Sequence, residues 1–200
     1  MKGGVRGRLV LEDGTEYCGT GFGAAKPASG EVVFNTGMIG YPESLTDPSY
    51  RGQILAMTYP LIGNYGVPGQ AKESGLSRWF ESDRIQVQGL VVSEHSEEHS
   101  HWNAEKSLSA WMEENGVPGL SGIDTRELTK HIRDAGAMPG KIVFGGDIGF
   151  DDPNTRNLAS EAGVKEPVSY GGGERTVALV DCGVKNSIIR AFLRRGIAVK

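Results

Sequence analysis

Two hundred residues with 30 glycines, 8% aromatics and a formal charge of −4 suit one large domain, or one domain with part of another. The acidic balance excludes broad nucleic-acid binding, which needs a basic face, and no apolar run approaches the ~20 residues of a membrane-spanning helix. Residues 1–9 lack the apolar core of a signal peptide, and two widely separated cysteines, Cys18 and Cys182, make no disulfide framework, so a reducing intracellular setting is expected.

Asp13-Gly14 lies between strand-like residues 9–12 and 15–17, which predicts a two-residue hairpin with both turn residues at positive φ. A Gly-rich stretch at 19–23 leads to a strand at 31–35, then a loop through Asp47-Pro48, a strand at 53–58 and a turn region at 64–69. Residues 76–80 suit a short helix and 86–92 a strand entering the core. A helix over 103–115 would bury Leu108, Trp111 and Met112, and Gly116 and Pro118 end it. The next helix starts at Asp124, with Glu127 three residues on as in a capping box; Leu128 and Ile132 are its apolar stripe and Gly136 its stop. A strand at 141–144 completes a first domain, residues 1–146, of α+β class.

Residues 147–173 are rich in Gly, Asp, Asn, Pro and Ser and read as an interdomain connection. From 174 the pattern changes to a buried-type strand at 176–180, an amphipathic helix at 185–194 with Ile188, Ile189, Phe192 and Leu193 inward, and a strand from 197. That is one βαβ unit, the expected opening of a doubly wound α/β domain cut short.

Neither cysteine fits a nucleophile elbow, which carries glycines two positions either side: Cys182 has Val180 and Val184 there, and Cys18 has Glu16 and Thr20. Cys18 reads as a small apolar filler, Cys182 as a small residue packed under a helix, and no catalytic residue is assigned. His95, His99 and His101, among Glu94, Glu97 and Glu98, are rival candidates for a metal site. They lack a zinc signature, so the plainer reading is a polar surface loop with Ser100 near a helix cap, and no metal ligand is assigned. His131 falls in the later half of its helix, where a positive charge is favoured, and Arg190, Arg194 and Arg195 read as solvated complements of a helix C-terminus. Ser49 follows Asp47-Pro48, a pair that fixes a turn. Read alone, it is a routine turn serine; its hydroxyl can also donate to and accept from the polar end of an amino-acid ligand.

Three stretches carry a family resemblance: GEVVFNTGMIGYPESLTDPSYRGQILAMTYPLIGNYG at 30–66, HWNAEKSLSAWMEENGVPGLSGIDTRELTKHIRDAG at 101–136 and VALVDCGVKNSIIRAFLRRG at 177–196. Together they resemble the glutaminase (small) subunit of carbamoyl-phosphate synthase, or the equivalent N-terminal region of a fused eukaryotic multifunctional enzyme. The insert GLSRWFES at 75–82 is more similar to the fused form. The resemblance implies a β/β/α swivelling-type N-terminal domain followed by the first βαβ unit of a class I glutaminase domain. It implies that ammonia released from L-glutamine passes to a synthetase subunit or region, which joins it to bicarbonate with ATP and a divalent cation for pyrimidine or arginine synthesis.

It also implies a cytoplasmic enzyme, or a mitochondrial one, with the synthetase part and the glutaminase domain as partners and no cofactor, nucleic acid or membrane for this chain. Within Thr46-Asp47-Pro48-Ser49-Tyr50 it assigns glutamine binding to Ser49. The catalytic cysteine, histidine and glutamate would lie beyond Lys200, so the chain alone is expected to be inert. Some family members have lost the nucleophile and use free ammonia. The alternative is a stand-alone binding module with no amidotransferase attached.

Overall fold

The computed structural model describes residues 4–200; the first three residues of the segment read for a signal peptide lie outside them. Seven strands close into a barrel in the order β1 (Arg6–Leu11), β11 (Met138–Val143), β3 (Ala28–Asn35), β4 (Gln53–Ile62), β8 (Gly89–His95), β10 (Pro118–Ser121) and β2 (Glu16–Gly23). The β3–β4, β4–β8 and β8–β10 pairs are parallel and the remaining pairs antiparallel. Between them come α1 (Tyr41–Thr46), the short strands β5 (Val67–Pro68), β6 (Lys72–Glu73), β7 (Leu76–Ser77) and β9 (Ala104–Lys106), and the helices α2 (Leu108–Glu114) and α3 (Thr125–Ala135).

The parallel strands are buried on both faces, which is why they are continuously apolar. Along β4, Ile54 and Ala56 join a cluster with Leu9, Val32, Val91, Leu120 and Ile142, closed by Leu128 and Ile132 of α3. Leu55 and Met57 point the other way, into a cluster with Tyr41, Leu45, Leu90, Leu108, Trp111 and Met112 under α1 and α2. Burying each such large side chain is worth about 1.5–3 kcal/mol.

The connection after β11 carries a 3₁₀ turn at Pro153–Thr155 and α4 (Leu158–Ala162). Then β12 (Arg175–Val177), α5 (Asn186–Leu193) and β13 (Ile197–Val199) form the βαβ unit, its two strands parallel in register Arg175↔Ile197 to Val177↔Val199. The fold is mixed α and β, compatible with α+β. Among the described residues no helix is long and apolar enough to cross a membrane.

Several elements differ from the sequence expectation. In the first hairpin only Gly14 has positive φ, at 88°. Gly14 N–H donates to Leu11 O at 3.0 Å and Leu11 N–H to Thr15 O at 2.9 Å, so the connection is the three-residue type closed by a left-handed glycine. The segment read as a loop before Asp47 holds α1, started by Gly40 (φ 85°) and Pro42. Residues 76–80 begin as a strand paired with β6 instead of a helix. The helix expected from 103 starts at Leu108, because 104–106 pair with β5, and its cap is Ser107, not Ser100.

Further differences concern exposure. Cys18 lies on the outward face of β2 and is exposed, as is Cys182, so neither is a core filler. The strand read as buried at 176–180 is β12, ending at Val177 with Val180 85% exposed; its one hydrogen-bonded neighbour is β13, and no second layer covers its outer face among the described residues.

Candidate functional site

The Ser49 turn is built from α1 outward. Tyr65 Oη accepts the Gly40 and Tyr41 amides at 2.8 and 3.0 Å, and the two tyrosine rings stack at 4.1 Å. At the other end of α1, fully buried Thr46 donates to Pro42 O at 2.8 Å and accepts the Glu81 amide at 3.0 Å. Ser82 Oγ donates to Thr46 O at 2.6 Å and accepts from Gln86 Nε2 at 2.9 Å. This network fixes the chain one residue before Asp47.

Asp47 then caps the 3₁₀ turn Pro48–Tyr50: its Oδ1 accepts the Ser49 amide at 2.9 Å. The Tyr50 hydroxyl accepts from Asn35 Nδ2 at 3.0 Å, tying the turn to the end of β3. Ser49 itself is exposed, and its hydroxyl has no hydrogen bond to protein among the described residues. The turn is therefore satisfied by Asp47, leaving the Ser49 Oγ for solvent or a ligand.

Two contacts from later in the chain converge here. Lys185, the N-cap residue of α5, places Nζ 2.9 Å from Asp47 Oδ2. That hydrogen bond to Asp47 raises the lysine pKa against a smaller effect of burial. Arg51 Nε pairs with Glu161 of α4 at 3.2 Å; Arg156 reaches the same carboxylate at 3.4 Å and Arg84 the Glu161 carbonyl at 2.8 Å. The connection is thus strapped beside the Ser49 turn. Gly52, at φ 83°, lets it approach: a Cβ there would stand 2.7 Å from Pro153 Cβ.

Between barrel, connection and βαβ unit lies a cleft of about 780 Å³, lined by Pro48, Gln86, Val164, Asp181, Val184 and Asn186 among others. Pro48 lines it and Ser49 lies beside it without lining it. Burial alone would raise the pKa of Asp181, but the Val184, Val164 and Gly183 amides it accepts, at 2.7, 2.9 and 2.8 Å, bring it below the ordinary carboxylate value. The Gln86 Oε1 is buried without a partner among the described residues.

The other sequence candidates do not converge. His95 stacks on Phe22 at 4.1 Å, and burial lowers its pKa. His101 instead meets the Tyr65 ring edge-on at 6.3 Å, and no group of three or more potential metal ligands gathers among the described residues. His131 bonds Asp13 Oδ2 at 2.6 Å, linking α3 to the first hairpin. Arg190, read as solvated, pairs with Glu81 at 3.5 Å and donates to Phe80 O at 3.3 Å and to Ser77 O, docking α5 onto the barrel; Arg195 does reach a helix carbonyl, Ala191 O, at 2.8 Å. Sequence reasoning placed Asp47 in the turn that holds Ser49 and missed its contact with Lys185, as it missed Glu161; the local signal was Asp47 immediately before Pro48 and Ser49, the spacing of an Asx cap.

The barrel, the Ser49 turn and the strapped βαβ unit pack into one mixed α and β arrangement in which the Ser49 hydroxyl is exposed. Residues 9–142 match the family model described as carbamoyl-phosphate synthase small chain, CPSase domain. The chain is 51% identical over 197 residues to "Multifunctional protein CAD" of Squalus acanthias, covering 96% of this chain and 9% of that protein. It is 51% identical over 195 residues to "Carbamoyl-phosphate synthase [ammonia], mitochondrial" of Homo sapiens, covering 96% of this chain and 13% of that one. It is 48% identical over 205 residues to "Carbamoyl phosphate synthase arginine-specific small chain" of Chaetomium globosum, covering 98% and 44%. The chain belongs to the carbamoyl-phosphate synthase small-chain family. It spans 9% to 44% of the length of these three relatives.

Proposed function

We propose that this chain is the N-terminal part of the glutaminase subunit or region of a glutamine-dependent carbamoyl-phosphate synthase. The barrel docks the synthetase part and the glutaminase domain, and the βαβ unit opens the glutaminase domain. Ser49 contributes to the rim of the glutamine pocket. The observation that carries this reading is the Ser49 hydroxyl, without a protein partner among the described residues on a turn capped by Asp47, while Lys185 binds the same Asp47 from the βαβ unit.

Chemically, a hydroxyl carried on a fixed turn can donate to the carboxylate or carbonyl of glutamine or accept from its ammonium. It supplies orientation, worth about 0.5–1.5 kcal/mol net for one such bond. It supplies no nucleophile. The thiolate, base and oxyanion donors that glutamine hydrolysis requires are assigned to other residues of the parent enzyme, which passes the ammonia to the synthetase part for carbamoyl phosphate synthesis with bicarbonate and ATP. Purified chain incubated with glutamine is expected to release no ammonia above the buffer rate. Protein-dependent release that persists after removal of contaminants would overturn the assignment.

A second reading is favoured by one relative's name, which specifies ammonia, at the same 51% identity as the multifunctional protein. In that reading the parent enzyme takes free ammonia, and the chain serves as scaffold alone. Glutamine-dependent synthesis by the parent enzyme separates the two.

A further inference from the structure

At the start of α1, lined by residues other than those of the cleft, a further pocket of about 340 Å³ opens among Tyr65, Trp79, His101, Trp102 and Glu43. Tyr65, Trp79, His101 and Trp102 give it four aromatic rings beside Ile39, Pro42 and Pro68, and its charged group is a carboxylate. Glu43 has no ion pair among the described residues: Arg190, the basic group whose charge reaches it, is held by Glu81 at 3.5 Å. Burial of the carboxyl end raises the Glu43 pKa, although the residue as a whole keeps exposed surface. An unneutralised carboxylate among ring faces is an environment short of one positive charge.

The rings are suited to supply the rest of such a site. Aromatic faces attract a cation within about 6 Å of the centroid, tryptophan most strongly. Trp79 already holds the Arg78 guanidinium 4.8 Å from its centroid. Tyr65 is fixed by the two amides its hydroxyl accepts and by stacking on Tyr41, so this wall is preorganised. The pocket's rim is an apolar apron: Ile39 and Trp102, which line it, are 80% and 83% exposed, and Met38, next to Ile39 in the chain, is 68% exposed. A free inorganic or small organic cation has no use for such an apron; an apolar patch of this kind on a protein surface marks contact with another macromolecule.

We propose that this pocket seats a lysine or arginine side chain of a partner polypeptide, with Glu43 as counter-ion, the rings as walls and Met38, Ile39 and Trp102 covering apolar residues next to the basic one. The complementarity is of charge and of shape: the alkyl stem of a basic side chain lies along rings while its head meets the carboxylate.

Blocked arginine (N-acetyl-arginine methylamide) titrated into the ¹⁵N-labelled chain tests this. The three indole N–H signals report separately, and buried Trp111 serves as the internal reference. The Trp79 and Trp102 signals are expected to move saturably while Trp111 stays in place. Blocked citrulline, the neutral isostere, is expected to leave all three unmoved. Glu43→Gln is expected to weaken binding about five- to tenfold without changing the melting temperature. The tripeptide acetyl-Leu-Arg-Leu-amide is expected to bind more tightly than blocked arginine. No shift with arginine, or equal shifts with citrulline, would overturn the cation site. Equal affinity of tripeptide and single residue would overturn the polypeptide as its source.

Discussion

Lys185 Nζ lies 2.9 Å from one oxygen of Asp47 while the other oxygen accepts the Ser49 amide at 2.9 Å, so one carboxylate joins the start of the βαβ unit's helix to the turn that presents the serine. Lys185→Met leaves the carboxylate with its backbone bond alone. Because the lysine side chain is 42% exposed, the pair is worth only about 0.5–1 kcal/mol. Amide exchange at Ser49 should accelerate severalfold with little change in global melting. The pair raises the lysine pKa, so its contribution is fully present below the ordinary lysine value of 10.5 and is lost as pH rises through the higher folded value. The exchange difference between wild type and variant should therefore vanish in strong alkali and not near neutrality.

Thr46 is the buried side of the same arrangement. Thr46→Val keeps the shape but leaves the Glu81 amide without its acceptor. A buried donor so orphaned costs about 1–3 kcal/mol. The melting temperature should fall by about 3–10 °C, and Thr46→Ser should recover most of the loss. Equal melting of wild type and Thr46→Val would mean that water or a rearranged loop replaces the hydroxyl.

Asp181 gives the acid side. Its pKa lies below the ordinary value of 3.8, so the order it confers on residues 164 and 183–184 is present above 3.8 and lost as pH falls through the lower folded value. Exchange protection of those three amides should persist below pH 3.8 and should be weakened in Asp181→Asn at pH values above the lowered folded pKa, the two proteins converging below it. Loss centred above 3.8 would contradict the amide-stabilised carboxylate.

What could be read from the sequence was what is local. Asp124 capping through the Glu127 amide, Gly136 at φ 97° and Gly196 at φ 69° fall where the pattern placed them, and the βαβ unit has the expected parallel pair. Elements failed where tertiary pairing decided. Leu76 and Ser77 pair with Lys72 and Glu73, and 104–106 with Val67 and Pro68, and a short apolar run does not reveal such pairing. Helix α1 was hidden because Gly40 and Pro42 read as loop residues although both serve as its start. Around the proposed site, the turn that holds Ser49 was legible from Asp47-Pro48, whereas Lys185 and Glu161 meet Asp47 and Arg51 only after more than a hundred intervening residues have folded.

The central claim, that the barrel presents Ser49 to glutamine, is tested most directly by steady-state kinetics of the parent enzyme carrying Ser49→Ala. The account predicts a glutamine KM raised about three- to tenfold, with ammonia-dependent synthesis unchanged. Glutamine- and ammonia-dependent rates that fall together, or a glutamine KM that does not move, would contradict it.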